Sequence, residues 1–237
     1  MQNKVILNDL GTVDYAEAWE MQKSLLGQVQ EIKRFNAELP ACEQTINYNY
    51  LLFCEHPHVY TLGKSGSAGN LLVDEAFLQQ KGASFYKIDR GGDITYHGPG
   101  QIVGYPIFDL EAYGIGIKKY IWNIEEVIIR TLKRFGIDAA RLDGASGVWL
   151  DPGTPGKTRK ICAIGVRVSR HVTMHGFAFN INTDLRYYDY INPCGFTDKG
   201  VTSMEKELGH TVDMMQVKNI LAEEFATVFS FNYEQVS

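Results

Sequence analysis

The sequence predicts an α/β chain of the α+β type: a mixed, largely antiparallel β-sheet flanked by helices. Three observations carry this reading. Strand-length apolar runs alternate irregularly with helical stretches, without the regular strand–helix rhythm of a parallel fold. Several neighbouring strand-like runs are joined by loops too short for a crossover, which requires antiparallel pairs. Residues 118–135 form a clear amphipathic helix, with Ile121, Ile124, Ile128, Leu132 and Phe135 at spacings of three and four.

Taken in order, residues 5–10 open with a short strand. Asp14 is the N-cap of a helix over residues 15 to about 35, whose apolar face takes Trp19, Leu25, Leu26, Val29 and Ile32. Residues 48–54 suit a buried strand and residues 59–62 a second one, followed by a Gly/Ser-rich loop over 63–70. A short helix is expected at 74–81 and an alternating strand at 84–88. Residues 101–110 form another strand, in which Pro106 marks a bulge or an edge position. Gly136 ends the 118–135 helix. Residues 148–150 are a short strand, and 151–159, with two prolines and two glycines, a loop. Residues 161–168 and 173–180 read as a hairpin turning at Ser169-Arg170-His171. A short helix at 184–190 and a closing helix at 212–229 complete the chain. With no internal repeat and no linker, residues 1–237 are expected to form a single domain.

Composition sets limits on function. The 237 residues, 45% of them hydrophobic, suffice for a full core. A formal net charge of -5 argues against a general nucleic-acid binder and leaves room for a local basic patch. No run approaches 18 apolar residues, so no membrane helix is expected. The first seven residues lack the apolar core of a signal peptide. Cys42, Cys54, Cys162 and Cys194 are widely spaced, which gives neither a zinc pattern nor a disulfide framework. Free thiols in a reducing, cytoplasmic setting follow.

Chemistry concentrates in three places. Cys194 lies in Ile191-Asn192-Pro193-Cys194-Gly195, between a rigid residue and a permissive one, where a thiol is presented rather than packed. Residues 90–101, Arg-Gly-Gly-Asp-Ile-Thr-Tyr-His-Gly-Pro-Gly-Gln, hold four glycines. They lie between two strand-like runs, so they match neither a P-loop nor a dinucleotide fingerprint. Such glycines let backbone approach a ligand, with Arg90, Thr95, Tyr96 and His97 as polar contacts; a tight hairpin is the plainer reading. Lys160 stands at the mouth of the apolar run Ile161–Val166, where partial desolvation lowers an ammonium pKa; a solvated strand-end lysine is the alternative. Arg159, Lys160, Arg167, Arg170 and His171 crowd together, either as a solvated hairpin or as a docking patch for an acidic partner. His56 and His58 are too few for a closed zinc site and read as hydrogen-bonding strand-end residues. Cys54 and Cys162 read as core.

The order and spelling of four motifs go further. Arg-Gly-Gly-x-x-Thr-Tyr-His-Gly-Pro-Gly-Gln, then Lys-Ile-x-Ala-x-Gly-Val-Arg, His-Gly-Phe-Ala-x-Asn and Ile-Asn-Pro-Cys-Gly closely resemble the lipoyl(octanoyl) transferase family, over nearly the whole chain. The resemblance implies the fold shared by biotin and lipoate protein ligases, and transfer of an octanoyl group from acyl carrier protein to a lysine of lipoyl domains. The acceptors it implies are the lipoyl domains of 2-oxoacid dehydrogenase E2 subunits and the glycine cleavage H protein. It assigns the acyl-thioester to Cys194 and its tuning to Lys160. The acyl chain is expected against Arg90, Gly91, Gly92, Asp93, Ile94, Thr95, Tyr96 and His97, against Ala163, Ile164 and Gly165, and against Gly176, Phe177 and Ala178. No cofactor, nucleic acid or membrane is implied, and a monomer is expected.

That assignment is chemically consistent. A thioester donor is already activated, so no ATP is needed. A thiolate is the effective nucleophile, and a nearby ammonium favours it. A narrow tunnel of fixed depth reads chain length, since each buried methylene contributes about 0.8 kcal/mol. Amides near Gly195 or the Gly92 turn are the candidate oxyanion donors. Alternatives are an ATP-dependent ligase, a carrier-to-carrier octanoyl amidotransferase, a non-catalytic carrier-binding module, and a cysteine hydrolase using His97 or His175.

Overall fold

The computed structural model describes residues 4–192 and 199–234. In chain order its elements are β1 (Lys4–Thr12), α1 (Tyr15–Asn36), β2 (Asn49–Glu55), β3 (Val59–Leu62), α2 (Glu75–Gln80), β4 (Ser84–Lys87), β5 (Ile94–His97), β6 (Gln101–Ile107), α3 (Ile117–Arg134), β7 (Ala140–Leu142), β8 (Ala145–Leu150), β9 (Arg159–Ser169), β10 (Val172–Asn180), β11 (Gly200–Val201), α4 (Met204–Leu208), α5 (Met214–Phe229) and β12 (Asn232–Tyr233). The large sheet runs β12-β1-β2-β6-β10-β9-β8-β7, with β11 also on β9; a small sheet runs β4-β3-β5.

Along the path from β2 through β7 every neighbouring pair is antiparallel, and for β7–β8, β8–β9 and β9–β10 the short connections dictate it. β1 pairs β2 in parallel instead, because the helix between them supplies the crossover. Asp14 caps that helix, its side chain accepting from the Ala16 N–H at 2.8 Å. Strand alternation divides the core between the two faces. Leu51 and Phe53 of β2 and Phe177 and Phe179 of β10 join α3 and α5. Leu52, Cys54, Val103, Tyr105 and Met174 face Ala18, Leu26 and Val29 of α1. Cys54 and Cys162 are core residues, as their apolar settings predict.

The β9–β10 hairpin closes through Arg170 and His171, at φ 50° and 66°. This is the doubly left-handed turn that matches strand twist. Residues 185–190 form a 3-10 helix. Pro106 departs from expectation: β6 is a central strand, between β2 and β10. The proline is tolerated because the β6–β10 ladder stops at Gly104, two residues earlier. The small sheet was not foreseen either. Residues 94–97, read only as part of a glycine-rich segment between two strand-like runs, are its strand β5.

Candidate active site

A cavity of about 780 Å³ is lined by residues 90–95, by strands β6, β9 and β10, by Tyr15 of α1 and by Ile117 and Ile121 of α3. That is at the roomy end of ligand sites, about 300–1,000 Å³, and wider than the narrow tunnel expected. Its floor follows from register. Ala163 pairs with Ala178, and Gly165 with Gly176, so four small residues share one face of β9 and β10. Ala178 in turn pairs with Val103 of β6. These residues leave a trough where larger side chains would fill the space.

The roof is pinned to that floor. Gly91 donates its N–H to the Val166 carbonyl at 2.9 Å. Arg90 reaches across to the Thr61 carbonyl at 2.7 Å and its hydroxyl at 3.0 Å. A Cβ on Gly165 would lie 2.9 Å from the Gly91 carbonyl oxygen, so roof and floor meet only through glycine. Gly92, at φ 87°, takes the left-handed conformation that the turn requires.

Of the sequence-predicted residues, Arg90, Gly91, Gly92, Asp93, Ile94, Thr95, His97, Lys160, Ala163, Ile164, Gly165, Gly176, Phe177 and Ala178 line the cavity. Tyr96 is the correction. It alternates away from its neighbours Thr95 and His97, is fully buried, donates or accepts at His58 Nδ1 (2.7 Å) and stacks on Tyr187. Cys194 lies outside the described residues. The residues on either side of its segment, Asn192 and Lys199, both line the cavity, as does Lys160. Asn192 is tied by its N–H to the Asn70 carbonyl at 2.8 Å, and Thr202 by its N–H to the Lys160 carbonyl at 2.9 Å.

Lys160 holds its Nζ over the Trp149 ring, 4.5 Å from the centroid. Beside it, the β7–β8 turn is anchored by buried Glu125, which accepts from the Gly147 N–H at 3.0 Å and from Arg141 at 3.1 Å. Burial raises the Glu125 carboxyl against both of those contacts. A buried relay lies behind the roof. His97 Nδ1 meets Gln101 Oε1 at 2.9 Å, and Gln101 Nε2 donates to Asn180 Oδ1 at 2.9 Å. Asn180 Nδ2 donates to the Thr202 carbonyl at 3.0 Å. Burial holds His97 well below its ordinary pKa, so the ring is neutral.

His175 is strained, at φ 58° within β10. Its Nε2 meets Asp89 Oδ1 at 2.9 Å, and Arg167 takes the other Asp89 oxygen. Burial lowers the His175 pKa despite Asp89. Burial pushes Asp89 up, but His175 and Arg167 outweigh it and keep the carboxylate ionised.

Sequence reading missed Tyr15, Val103, Tyr105, Trp149, Asn180 and Tyr188 in the lining. They are scattered along the chain, and only the trough unites them. The basic cluster, read either as a solvated hairpin or as a docking patch, carries less free charge than its sequence suggests. Arg159 is bound bidentately by Glu207, at 2.7 and 2.6 Å, and also meets Asp151. Arg167 is held by Asp89. His56 bonds to the Val13 carbonyl and Tyr105 hydroxyl, both at 2.7 Å, in the hydrogen-bonding role expected of it.

A sheet with this trough defines a class, the lipoate and biotin protein ligase fold. The bi-partite lipoate protein ligase of Thermoplasma acidophilum superposes with TM-score 0.68 at 16% identity, covering 99% of this chain and 87% of that one. Biotin protein ligase from Aquifex aeolicus gives 0.51 at 11% identity, covering 97% and 71%. The chain belongs to the lipoyl protein ligase A/B catalytic domain family, whose model matches residues 14–226. Its relatives include the octanoyltransferase of Cytophaga hutchinsonii, 52% identical over 98% of this chain and 96% of that protein. The octanoyltransferase of Flavobacterium psychrophilum is 54% identical over 97% and 98%.

Proposed function

We propose that this chain transfers an octanoyl group from acyl carrier protein to a lysine of lipoyl domains, through a thioester on Cys194. One observation carries the reading: the residues flanking the Cys194 segment and the Lys160 side chain open on one cavity with an apolar trough. Its relatives' octanoyltransferase activity supports the same chemistry.

Neutral Lys160 takes the proton from the Cys194 thiol as the thiolate attacks the carrier thioester. The Lys160 ammonium returns that proton to the leaving phosphopantetheine thiolate, and the octanoyl group remains on Cys194. Lys160, neutral again, removes one proton from the incoming lysine ammonium and passes it to solvent. The neutral amine attacks the thioester, and its second proton goes to the expelled Cys194 thiolate, restoring the thiol. Splitting the transfer in two lets one site serve two macromolecules in turn. The acyl chain lies along the floor of Ala163 and Ala178, beside the point where Gly91 packs on Gly165. The second reading is an ATP-dependent ligase, favoured by the fold shared with a lipoate-protein ligase A bound with ATP, TM-score 0.64.

The test is transfer to an apo lipoyl domain from octanoyl acyl carrier protein without ATP, beside a reaction supplied with octanoate and ATP. Product only in the first supports the transferase; product only in the second replaces it with the ligase.

A further inference from the structure

The trough has a defined end. It crosses β9, β10 and β6, and among the described residues none from β2 lines it. From β9 to β6 is two strand spacings, about 9.6 Å. With C–C bonds of about 1.5 Å, an extended eight-carbon chain spans roughly 9 Å. At the β6 end stand Tyr105 and, from the first turn of α1, Tyr15.

We propose that Tyr15 and Tyr105 form the end wall of the acyl trough and limit the chain to eight carbons, an inference that rests on the octanoyl-transfer reading above. Both residues are only 3% exposed and line the cavity. Tyr15 stacks on His97 at 5.9 Å and on Tyr86 at 5.5 Å. The Tyr105 hydroxyl meets His56 Nε2 at 2.7 Å, and His56 is fixed in turn to the Val13 carbonyl just before α1. The wall is therefore braced on two elements by aromatic stacking and hydrogen bonds. A ninth or tenth carbon would have to displace a ring braced by these contacts, or press against polar edges that gain nothing from a methylene.

The experiment compares kcat/KM for hexanoyl, octanoyl and decanoyl acyl carrier protein with an apo lipoyl domain. Tyr15→Ala opens the wall. At about 0.8 kcal/mol per methylene, two more buried methylenes raise the decanoyl-to-octanoyl ratio about 15-fold. Val103→Leu adds one carbon to the floor beside the wall and raises the hexanoyl-to-octanoyl ratio about fourfold, which keeps the proposal testable if Tyr15→Ala fails to fold. Folded variants that transfer octanoyl with unchanged ratios overturn the proposal. A wild-type protein that transfers no acyl group from the carrier overturns the functional reading itself, and the wall's role with it.

Discussion

The backbone N–H of Thr202 donates to the carbonyl of Lys160 at 2.9 Å, and the Thr202 carbonyl accepts from Asn180 Nδ2 at 3.0 Å. The chain emerging from the Cys194 segment is thus held on both sides to the strands that form the trough. One buried asparagine, 3% exposed, couples the candidate lysine's strand to the residues that follow the Cys194 segment.

Asn180→Ala removes that clamp and strips Gln101 of an acceptor. A loss of about 1–3 kcal/mol in folding free energy is expected from the stranded buried groups. Urea unfolding measures it, and acyl-enzyme formation should slow in the same variant.

Lys160→Arg tests the base directly. The guanidinium places a permanent cation near Trp149 that cannot give up its proton at neutral pH. Steady-state transfer is expected to fall by at least about 100-fold, with the unfolding midpoint close to wild type. Near-normal acyl-enzyme formation by Lys160→Ala would remove Lys160 from the mechanism.

Stability should depend on pH through His56, His97 and His175. Burial lowers the pKa of all three in the folded state. Above the unfolded value of about 6.5 both states are neutral and contribute no slope. Below it the unfolded chain takes up protons that the folded chain refuses, so stability falls with pH by up to about 1.4 kcal/mol per unit for each histidine. Urea midpoints between pH 7 and 5 read this slope, and His97→Gln should reduce it.

Two glycine substitutions should act in opposite directions. A Cβ at Gly176 would lie 2.1 Å from the Gly104 carbonyl oxygen and 2.7 Å from Pro106 Cδ, so Gly176→Ala should cost about 1–3 kcal/mol by overpacking. Gly27 sits in α1 with open space around its Cβ position, and Gly27→Ala should stabilise by about 0.5–1 kcal/mol. Thermal melting separates the two.

Much of this was legible because glycine and alanine mark the trough in sequence. Arg90 to Thr95 are a contiguous run whose glycines point to close backbone approach, whereas Ala163 to Gly165 and Gly176 to Ala178 were expected there only from the family resemblance; all line the cavity. Tyr96 was misplaced because β5 was hidden inside the glycine-rich segment, and only strand alternation turns its ring away. Tyr15 and Tyr105 look like ordinary core residues of a helix and a strand; their role depends on where α1 crosses β6, which no local pattern encodes. Pro106 misled because tolerance depends on where the neighbouring ladder ends. The basic hairpin overstated its charge, since Glu207 and Asp89, distant in sequence, neutralise Arg159 and Arg167.

The central claim is covalent chemistry at Cys194 assisted by Lys160. Intact-protein mass spectrometry after incubation with octanoyl acyl carrier protein, without ATP, tests it on wild type, Cys194→Ala and Lys160→Ala. The account predicts a gain of one octanoyl group on wild type alone, discharged when an apo lipoyl domain is added. Transfer to the lipoyl domain with no adduct on wild type, or with undiminished rate in Cys194→Ala, would contradict it.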